Sequence, residues 1–126
     1  MYSMENPNNS NQGIFLSIEG IDGSGKSTQI LLLKKYLTQK GFTVLQVREP
    51  GGCCISEDIR NILLDKSHAV MDSKTELLLY WAARAQIVAE IIIPALAQGK
   101  FVLADRFGWS TFAYQGVGRD SWFCQP

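Results

Sequence analysis

The spacing of apolar positions changes several times along the chain, and each change marks a predicted element. Residues 14–19 are nearly all apolar, which is typical of a parallel strand covered on both faces and predicts a central place in its sheet. Residues 26–40 carry apolar side chains at helical spacing and end at a glycine, as an amphipathic helix does. Residues 42–47 form a second predicted strand, so the chain begins with a β-α-β unit.

The second half of the chain predicts two more helices and a third strand. Ser56 caps a predicted short helix that ends at Asp65, and a capping box, Ser73-Lys74-Thr75-Glu76, begins a long one. The long helix runs towards Leu96, with a kink or restart expected at Pro94. Residues 101–104 form a third buried strand. The predicted inward stripe of the long helix comprises Leu77, Trp81, Ala85, Val88 and Ile92, with Tyr80, Arg84, Ile87 and Ile91 beside it.

A glycine-rich segment links the first strand to the first helix. It consists of Gly20, Ile21, Asp22, Gly23, Ser24, Gly25, Lys26 and Ser27, followed by Thr28, and it matches the phosphate-loop pattern G-x-x-x-x-G-K-S. Its glycines allow a tight turn in which backbone N–H groups and the helix dipole point at phosphate oxygens. Lys26 is then placed to reach the outer phosphates of ATP, and the Ser27 hydroxyl to bind Mg2+. A glycine-rich turn that binds nothing is the alternative.

Charged residues follow the second and third strands. Arg48 and Glu49 begin the segment Arg-Glu-Pro-Gly-Gly, and Asp105 and Arg106 follow the third strand. Open α/β sheets bind ligands at the carboxyl ends of their strands. Asp105 therefore has the place of a Walker-B carboxylate that holds Mg2+, and Arg106 could clamp transferring phosphates. Arg48 and Glu49 could face a substrate or could be solvated turn residues.

Arg84 projects from the apolar side of the long helix, where a cation needs an anionic or carbonyl partner. Tyr80 lies one turn earlier, so the two side chains could stack on a planar base and bond its edge. Alternatively, Arg84 extends its stem to water. Beyond the third strand, a further predicted helix offers polar groups to a small ligand, from Ser110, Thr111, Tyr114 and Gln115.

Composition excludes several classes of protein. The 126 residues are 46% apolar and carry no formal net charge, so we expect one soluble domain without a nucleic acid polymer or membrane surface as partner. Three cysteines, an odd number without zinc-ligand spacing, favour a reducing cytosol. Residues 1–13 lack the pattern of a signal peptide and are expected to be a disordered tail. We therefore predict a cytoplasmic protein.

Four segments together resemble the bacterial thymidylate kinases, which phosphorylate dTMP with ATP. They are EGIDGSGKST (19–28), REPGG (48–52), LLLYWAARAQ (77–86) and DRF…ST.AYQG (105–116). The resemblance implies an α/β fold, a P-loop NTPase-like parallel sheet with flanking helices, and a cis bond before Pro50. It also implies ATP and Mg2+ as cofactors, dTMP as substrate, and a homodimer.

The resemblance assigns roles to individual side chains. It implies that Tyr80 stacks on thymine and that Arg84 bonds the base edge, with Ser110, Thr111 and Gln115 around the base. Asp22 would contact the deoxyribose, and Tyr114 would pack near it. The residues expected around the monophosphate and the transferring group are Arg48, Glu49 and Arg106.

The sequence departs from the family pattern after Gly118-Arg119. Residues 14–118 form the predicted kinase core, and 119–126 are atypical, so we expect a truncated chain, an incomplete three-layer α/β/α sandwich without the family's lid and its arginines. The first strand would then have an open apolar edge. Two alternatives to an active dTMP kinase remain: a nucleotide-binding fragment without catalysis, and another P-loop nucleotide kinase.

Overall fold

The computed structural model describes residues 12–107. Three parallel strands form its sheet: β1 (Ile14–Ile18), β2 (Val44–Arg48) and β3 (Phe101–Asp105). Four α-helices accompany them: α1 (Lys26–Gln39), α2 (Cys54–Leu64), α3 (Ser73–Ile87) and α4 (Ile93–Ala97). The α/β class and the order of the elements predicted between residues 14 and 104 are confirmed; the further helix predicted around Ser110 lies outside the described residues.

The strand order is β1-β3-β2. Ile18 of β1 and Arg48 of β2 are both in register with Asp105 of β3, so the three strands end at one level. Within residues 12–107, β1 pairs with β3 alone. The strand predicted to be central therefore lies at an edge of this sheet, because a central place needs a second neighbour that the described residues do not supply.

β3 is the buried centre of the fold. Val102 and Ala104 face a core cluster that includes Ile87 of α3 and Ala95 of α4. Phe101 and Leu103, which alternate with them, face a second cluster with Leu37 of α1 and others. Successive strand side chains point to opposite faces, so helices on both faces are needed to cover β3. The predicted three layers are present.

Both predicted helix caps are misplaced, the cap of α2 by three residues and the cap of α3 by one. α2 begins at Cys54 with Cys53 as its N-cap, whereas Ser56 is fully buried inside the helix. Its hydroxyl donates to the carbonyl oxygen of Ala83 in α3 (2.7 Å), so it is used in a tertiary contact and not as a cap. At α3 the N-cap is Asp72, whose carboxylate accepts from the backbone N–H of Lys74 (3.0 Å).

The restart expected near Pro94 is confirmed in a specific form. α3 passes into one π-helical segment, Val88–Ile92, and α4 then continues the same run. Pro94 has no N–H that could bond to the carbonyl four residues earlier. A π-helical turn shifts the backbone hydrogen bonds by one residue, so the helix continues past this position. The Ile93 N–H accordingly bonds to the Val88 oxygen.

The predicted inward stripe of α3 is only partly correct. Leu77, and Ile92 in the π-helical segment, are buried as predicted, but Trp81 is 46% exposed and Ala85 is exposed, whereas Ala83, Arg84 and Ile87 are buried. Between residues 81 and 87 the inward side is rotated towards Arg84 and Ile87, because α3 packs both on the sheet and on α2.

The run from Ser73 to Ala97 is also long and apolar enough to cross a membrane, judged by length and composition alone. A core helix of a soluble protein passes the same test. Ile87, Ile92 and Ala95 of this run belong to the core against the sheet.

Candidate nucleotide-binding site

The glycine-rich segment forms a compact loop between β1 and α1. Gly23 and Gly25 adopt left-handed backbone angles (φ 77° and 88°), which residues other than glycine rarely adopt. Gly25 is also the N-cap of α1. The Ser24 N–H bonds back to the Ile21 carbonyl (3.2 Å). Lys26 Nζ donates to the same carbonyl (3.0 Å), so its ammonium group lies over the loop.

A cavity of 380 Å³ opens above this loop. Its lining combines the loop with the end of β3: Asp22, Gly23, Gly25, Lys26, Ser27, Thr28, Asp105 and Arg106. Backbone N–H groups at a helix N-terminus, a lysine and an arginine are groups suited to binding an anion, and Ser27 and Asp105 add oxygen atoms suited to binding a cation. The structure therefore brings together the predicted phosphate, metal and clamp residues.

Arg106 is held in an unusual backbone conformation. Its φ is 64°, in the left-handed region, while its N–H continues the sheet by bonding to the Ile18 carbonyl (3.1 Å). The guanidinium forms a salt bridge with the carboxylate of Asp22, which is itself 93% exposed. The ion pair joins the end of β3 to the glycine-rich loop across the cavity.

Glu49 and Arg84 form a second, buried ion pair. Arg84 Nε and Nη2 both contact Glu49 Oε2, at 2.8 and 2.6 Å, and each side chain is 7% exposed. The hypothesis that Arg84 extends to water is thereby wrong, and the anionic partner that its apolar position required is Glu49. Two aromatic rings also contact the guanidinium, Trp81 at 4.6 Å and Phe107 at 4.9 Å from Cζ to the ring centroid.

The environment of Glu49 changes its acidity. Burial raises the pKa of the Glu49 carboxyl above its ordinary value of 4.5, and the hydrogen bond and charge of Arg84 partly offset this rise. The negative charge of Glu19 raises it further. Among the described residues, Glu49 Oε1 is buried without a hydrogen-bond partner. Arg84 is therefore the group that favours the ionised form of the buried Glu49 carboxyl.

α2 holds the turn that carries Glu49. The Glu49–Pro50 peptide bond is cis, as the family resemblance implied. Glu57 Oε1 accepts from the Gly52 N–H (2.8 Å), and Arg60 Nη1 donates to the Pro50 carbonyl (3.0 Å). Two side chains of one helix thus fix both halves of the turn.

The remaining predicted residues are distributed around this edge. Arg48 is exposed and lines a separate cavity of 320 Å³ beside β2, together with Gly52, Glu57 and others. Tyr80 is half-buried, one turn before Arg84. Four predicted residues lie outside the described part of the chain: Ser110, Thr111, Tyr114 and Gln115.

Three side chains at the site have no site role predicted from the sequence. Glu19 accepts a hydrogen bond from the Phe107 backbone N–H (2.6 Å), and Phe107 and Trp81 contact Arg84. Glu19 and Phe107 lie inside two of the segments that carry the family resemblance, 19–28 and 105–116. Their place in those segments was the available signal, but an apolar ring after a charged pair does not by itself indicate a contact.

The oxygen donors fit magnesium. Ser27 and Asp105 line the same cavity as the anion-binding groups. Residues 12–107 contain no group of three or more His, Cys, Asp or Glu side chains placed to hold a metal ion. Mg2+ ordinarily needs no such cage, because one or two protein oxygens, the phosphates and water complete its coordination.

A parallel sheet with helices on both faces, a glycine-rich loop between β1 and α1, and an acidic residue ending the adjacent strand define the P-loop NTPase class. The thymidylate kinase family model matches residues 18–125. The chain belongs to the thymidylate kinase family.

The chain is also similar to individual thymidylate kinases. The chain is 59% identical over 107 residues to the thymidylate kinase of Pelobacter propionicus and 58% identical to that of Geotalea daltonii, covering 85% of this chain in each case. The crystal structure of thymidylate kinase from Ehrlichia chaffeensis superposes with a TM-score of 0.77 at 43% identity, covering 87% of this chain and 62% of that one. The chain spans about half the length of the curated relatives it matches, 49% and 50% for these two.

Proposed function

We propose that this protein transfers the γ-phosphoryl group of ATP to dTMP, forming dTDP and ADP on the route to dTTP. One observation carries the proposal above the others. The glycine-rich loop, Asp105 and Arg106 line a single cavity at the carboxyl ends of the strands, in a chain of the thymidylate kinase family. Another P-loop nucleotide kinase is less well supported, since the relatives from Pelobacter propionicus and Geotalea daltonii both bear the name thymidylate kinase.

ATP is assigned to the 380 Å³ cavity. Residues 20–28 would bind its phosphates, with Lys26 leaving the Ile21 carbonyl to contact the outer ones. Ser27 and Asp105 would hold Mg2+, which screens the phosphate charge when bound. Arg106, now paired with Asp22, would exchange that carboxylate for a phosphate group, because both anions compete for one guanidinium.

dTMP is assigned to the side of the site that α3 and the 48–52 turn form. Tyr80 would stack on thymine, and Arg84 would donate to a carbonyl at its edge while Glu49 retains its contact with Nε and Nη2. Arg48 and Arg106 would bind the monophosphate, and Asp22 the deoxyribose. Ser110, Thr111, Tyr114 and Gln115 are proposed around the base and sugar on the family resemblance alone.

The reaction is an in-line displacement. A phosphate oxygen of dTMP bonds to the γ-phosphorus while the bond to the β–γ bridging oxygen breaks, and ADP leaves. Transfer of this kind depends on positioning and charge stabilisation, and it requires no covalent intermediate with the protein. Lys26 and Arg106 are the cations of the described site that would contact the transferring group.

The family also supports a cytoplasmic homodimer, with ATP and dTMP as small-molecule partners and neither a nucleic acid polymer nor a membrane. A nucleotide-binding protein without catalysis is the main alternative. Binding and turnover should therefore be measured separately, because a supplied arginine alone can change phosphoryl-transfer rates by about 10³–10⁵.

Lys26→Ala tests the assignment. We expect loss of the thermal stabilisation that ATP·Mg gives, and at least about a hundredfold slower dTDP formation, because the outer phosphates lose a preorganised cation. Lys35→Ala, an exposed lysine of the same helix α1, is the matched control and should behave as wild type. Equal ATP·Mg shifts for both variants would contradict the phosphate site, and ATP and dTMP binding without any dTDP would favour the non-catalytic alternative.

A further inference from the structure

The carboxylate of Glu19 connects two strand ends. Its Oε1 accepts from the Ser17 hydroxyl (2.7 Å) and from the backbone N–H of Phe107 (2.6 Å). Glu19 directly precedes the glycine-rich loop, and Phe107 follows Arg106 at the end of β3. A hydrogen bond to a charged acceptor is stronger than a neutral one, so this contact fixes the backbone at Phe107.

The fixed position matters because the preceding residue is strained. Arg106 has a φ of 64°, a left-handed conformation that residues with a side chain rarely adopt. Such conformations persist only where neighbouring contacts determine them. The bond from Phe107 N–H to Glu19, immediately after Arg106, is a contact of that kind.

The ring of Phe107 transmits this position to Arg84. On one side it packs edge-on against the Phe15 ring of β1, with centroids 4.9 Å apart and planes at 63°. It also lies 4.9 Å from the Arg84 guanidinium carbon. A guanidinium over an aromatic face is attracted by the ring quadrupole, more strongly where water is excluded, as at this 7% exposed side chain.

We propose that Glu19 and Phe107 are positioning residues for Arg84. Glu19 fixes the backbone of Phe107, and the Phe107 ring, with Glu49, sets the plane of the guanidinium that faces the base. This inference rests on the proposed function, in which Arg84 donates to a thymine carbonyl. It assigns to Glu19, next to the phosphate loop, a part in base recognition.

Phe107→Leu and Phe107→Tyr test the ring. Leucine keeps the apolar volume without the quadrupole, and tyrosine keeps both. By calorimetry on the 126-residue chain, we expect Phe107→Leu to lower the dTMP-to-dCMP affinity ratio by about five- to tenfold, which lies within the range for loss of a cation–π contact. Phe107→Tyr should retain the ratio, and ATP·Mg affinity should stay within about twofold for both variants.

Three results would overturn the inference. The first is an equal dTMP-to-dCMP affinity ratio for the leucine and tyrosine variants, and the second is an unchanged ratio for Phe107→Leu. The third is a parallel loss of affinity for dTMP, dCMP and ATP, which a purely structural role of the ring predicts. Absence of dTMP binding by the wild-type chain would instead contradict the proposed function and remove the basis of the inference.

A ligand-free measurement tests Glu19 independently. The Arg84 Nε–H resonance reports both the Glu49 hydrogen bond and the ring current of Phe107. We expect Glu19→Ala to shift it and Glu19→Gln to restore most of the wild-type position, because the glutamine carbonyl can still accept from Phe107 N–H. Glu90→Gln, an exposed residue following α3, is the control. A resonance that Glu19→Ala leaves unmoved, or that Glu19→Gln shifts equally, would overturn the role of the hydrogen bond.

Discussion

Replacement of Arg84 by methionine should destabilise the fold in a way that depends on pH. Methionine keeps an unbranched apolar stem and removes the cation, which leaves the Glu49 carboxylate in a site where it is 7% exposed. Removing one partner of a buried ion pair costs about 3–5 kcal/mol, mostly through the uncompensated charge that remains. We expect an effect of that size at pH 8.

The pH dependence follows from the acidity of Glu49. In the folded protein its pKa is already raised above 4.5 by burial, and Arg84 is the group that lowers it. Without Arg84, the folded-state pKa rises further while the unfolded value stays. Between the two values the folded state binds more protons than the unfolded state, so stability falls as pH rises, by at most about 1.4 kcal/mol per pH unit. The contribution of Glu49 to the free energy of unfolding is fully present below its ordinary pKa of 4.5, and it is lost as the pH rises through the pKa of Glu49 in the folded variant.

Urea denaturation at pH 5 and pH 8 measures this difference. The decrease in the free energy of unfolding that Arg84→Met causes relative to wild type should be smaller at pH 5 than at pH 8, because Glu49 can become neutral at pH 5. The double variant Glu49→Gln/Arg84→Met should recover most of the loss at pH 8, because neither charge remains. Equal destabilisation at both pH values, with no recovery in the double variant, would show that Arg84 stabilises the fold through packing alone.

Two further substitutions, Gly52→Ala and Ser56→Ala, test the packing of the turn and of α2, with Gly99→Ala as a control for the first. Gly52→Ala should cost about 1–3 kcal/mol, because φ is 93° and a Cβ would lie 2.8 Å from Ile87 Cδ1. Gly99→Ala, with a φ of 74° and open space, should cost only about 1 kcal/mol, and equal losses in urea denaturation would exclude the steric argument. Ser56→Ala should cost about 1–2 kcal/mol through loss of the bond to the Ala83 carbonyl, and an unchanged urea midpoint would refute that role.

Local chemistry was enough to predict many of the residues that line the 380 Å³ cavity. The phosphate loop requires glycines where φ is positive, a lysine and a hydroxyl in consecutive positions, and these are properties of a short segment that can be identified without the fold. Asp105 could also be placed, because apolar runs such as 101–104 predict strands and the carboxyl ends of parallel strands meet at one edge. That Arg84 needed a partner followed from its apolar surroundings on the helix.

Which groups meet was decided only by the tertiary structure. The sequence indicated that Arg84 needs a partner but not that Glu49, 35 residues away, is that partner, because the contact depends on how α3 packs against the turn after β2. The sequence around Ser56 is typical of a helix cap, but α2 packs on α3, and the Ser56 hydroxyl donates to the Ala83 carbonyl oxygen. The contact between Glu19 and Phe107 joins residues 88 positions apart. Periodicity describes one element at a time, whereas these contacts arise between elements, where register and rotation are set by the packing of the whole core.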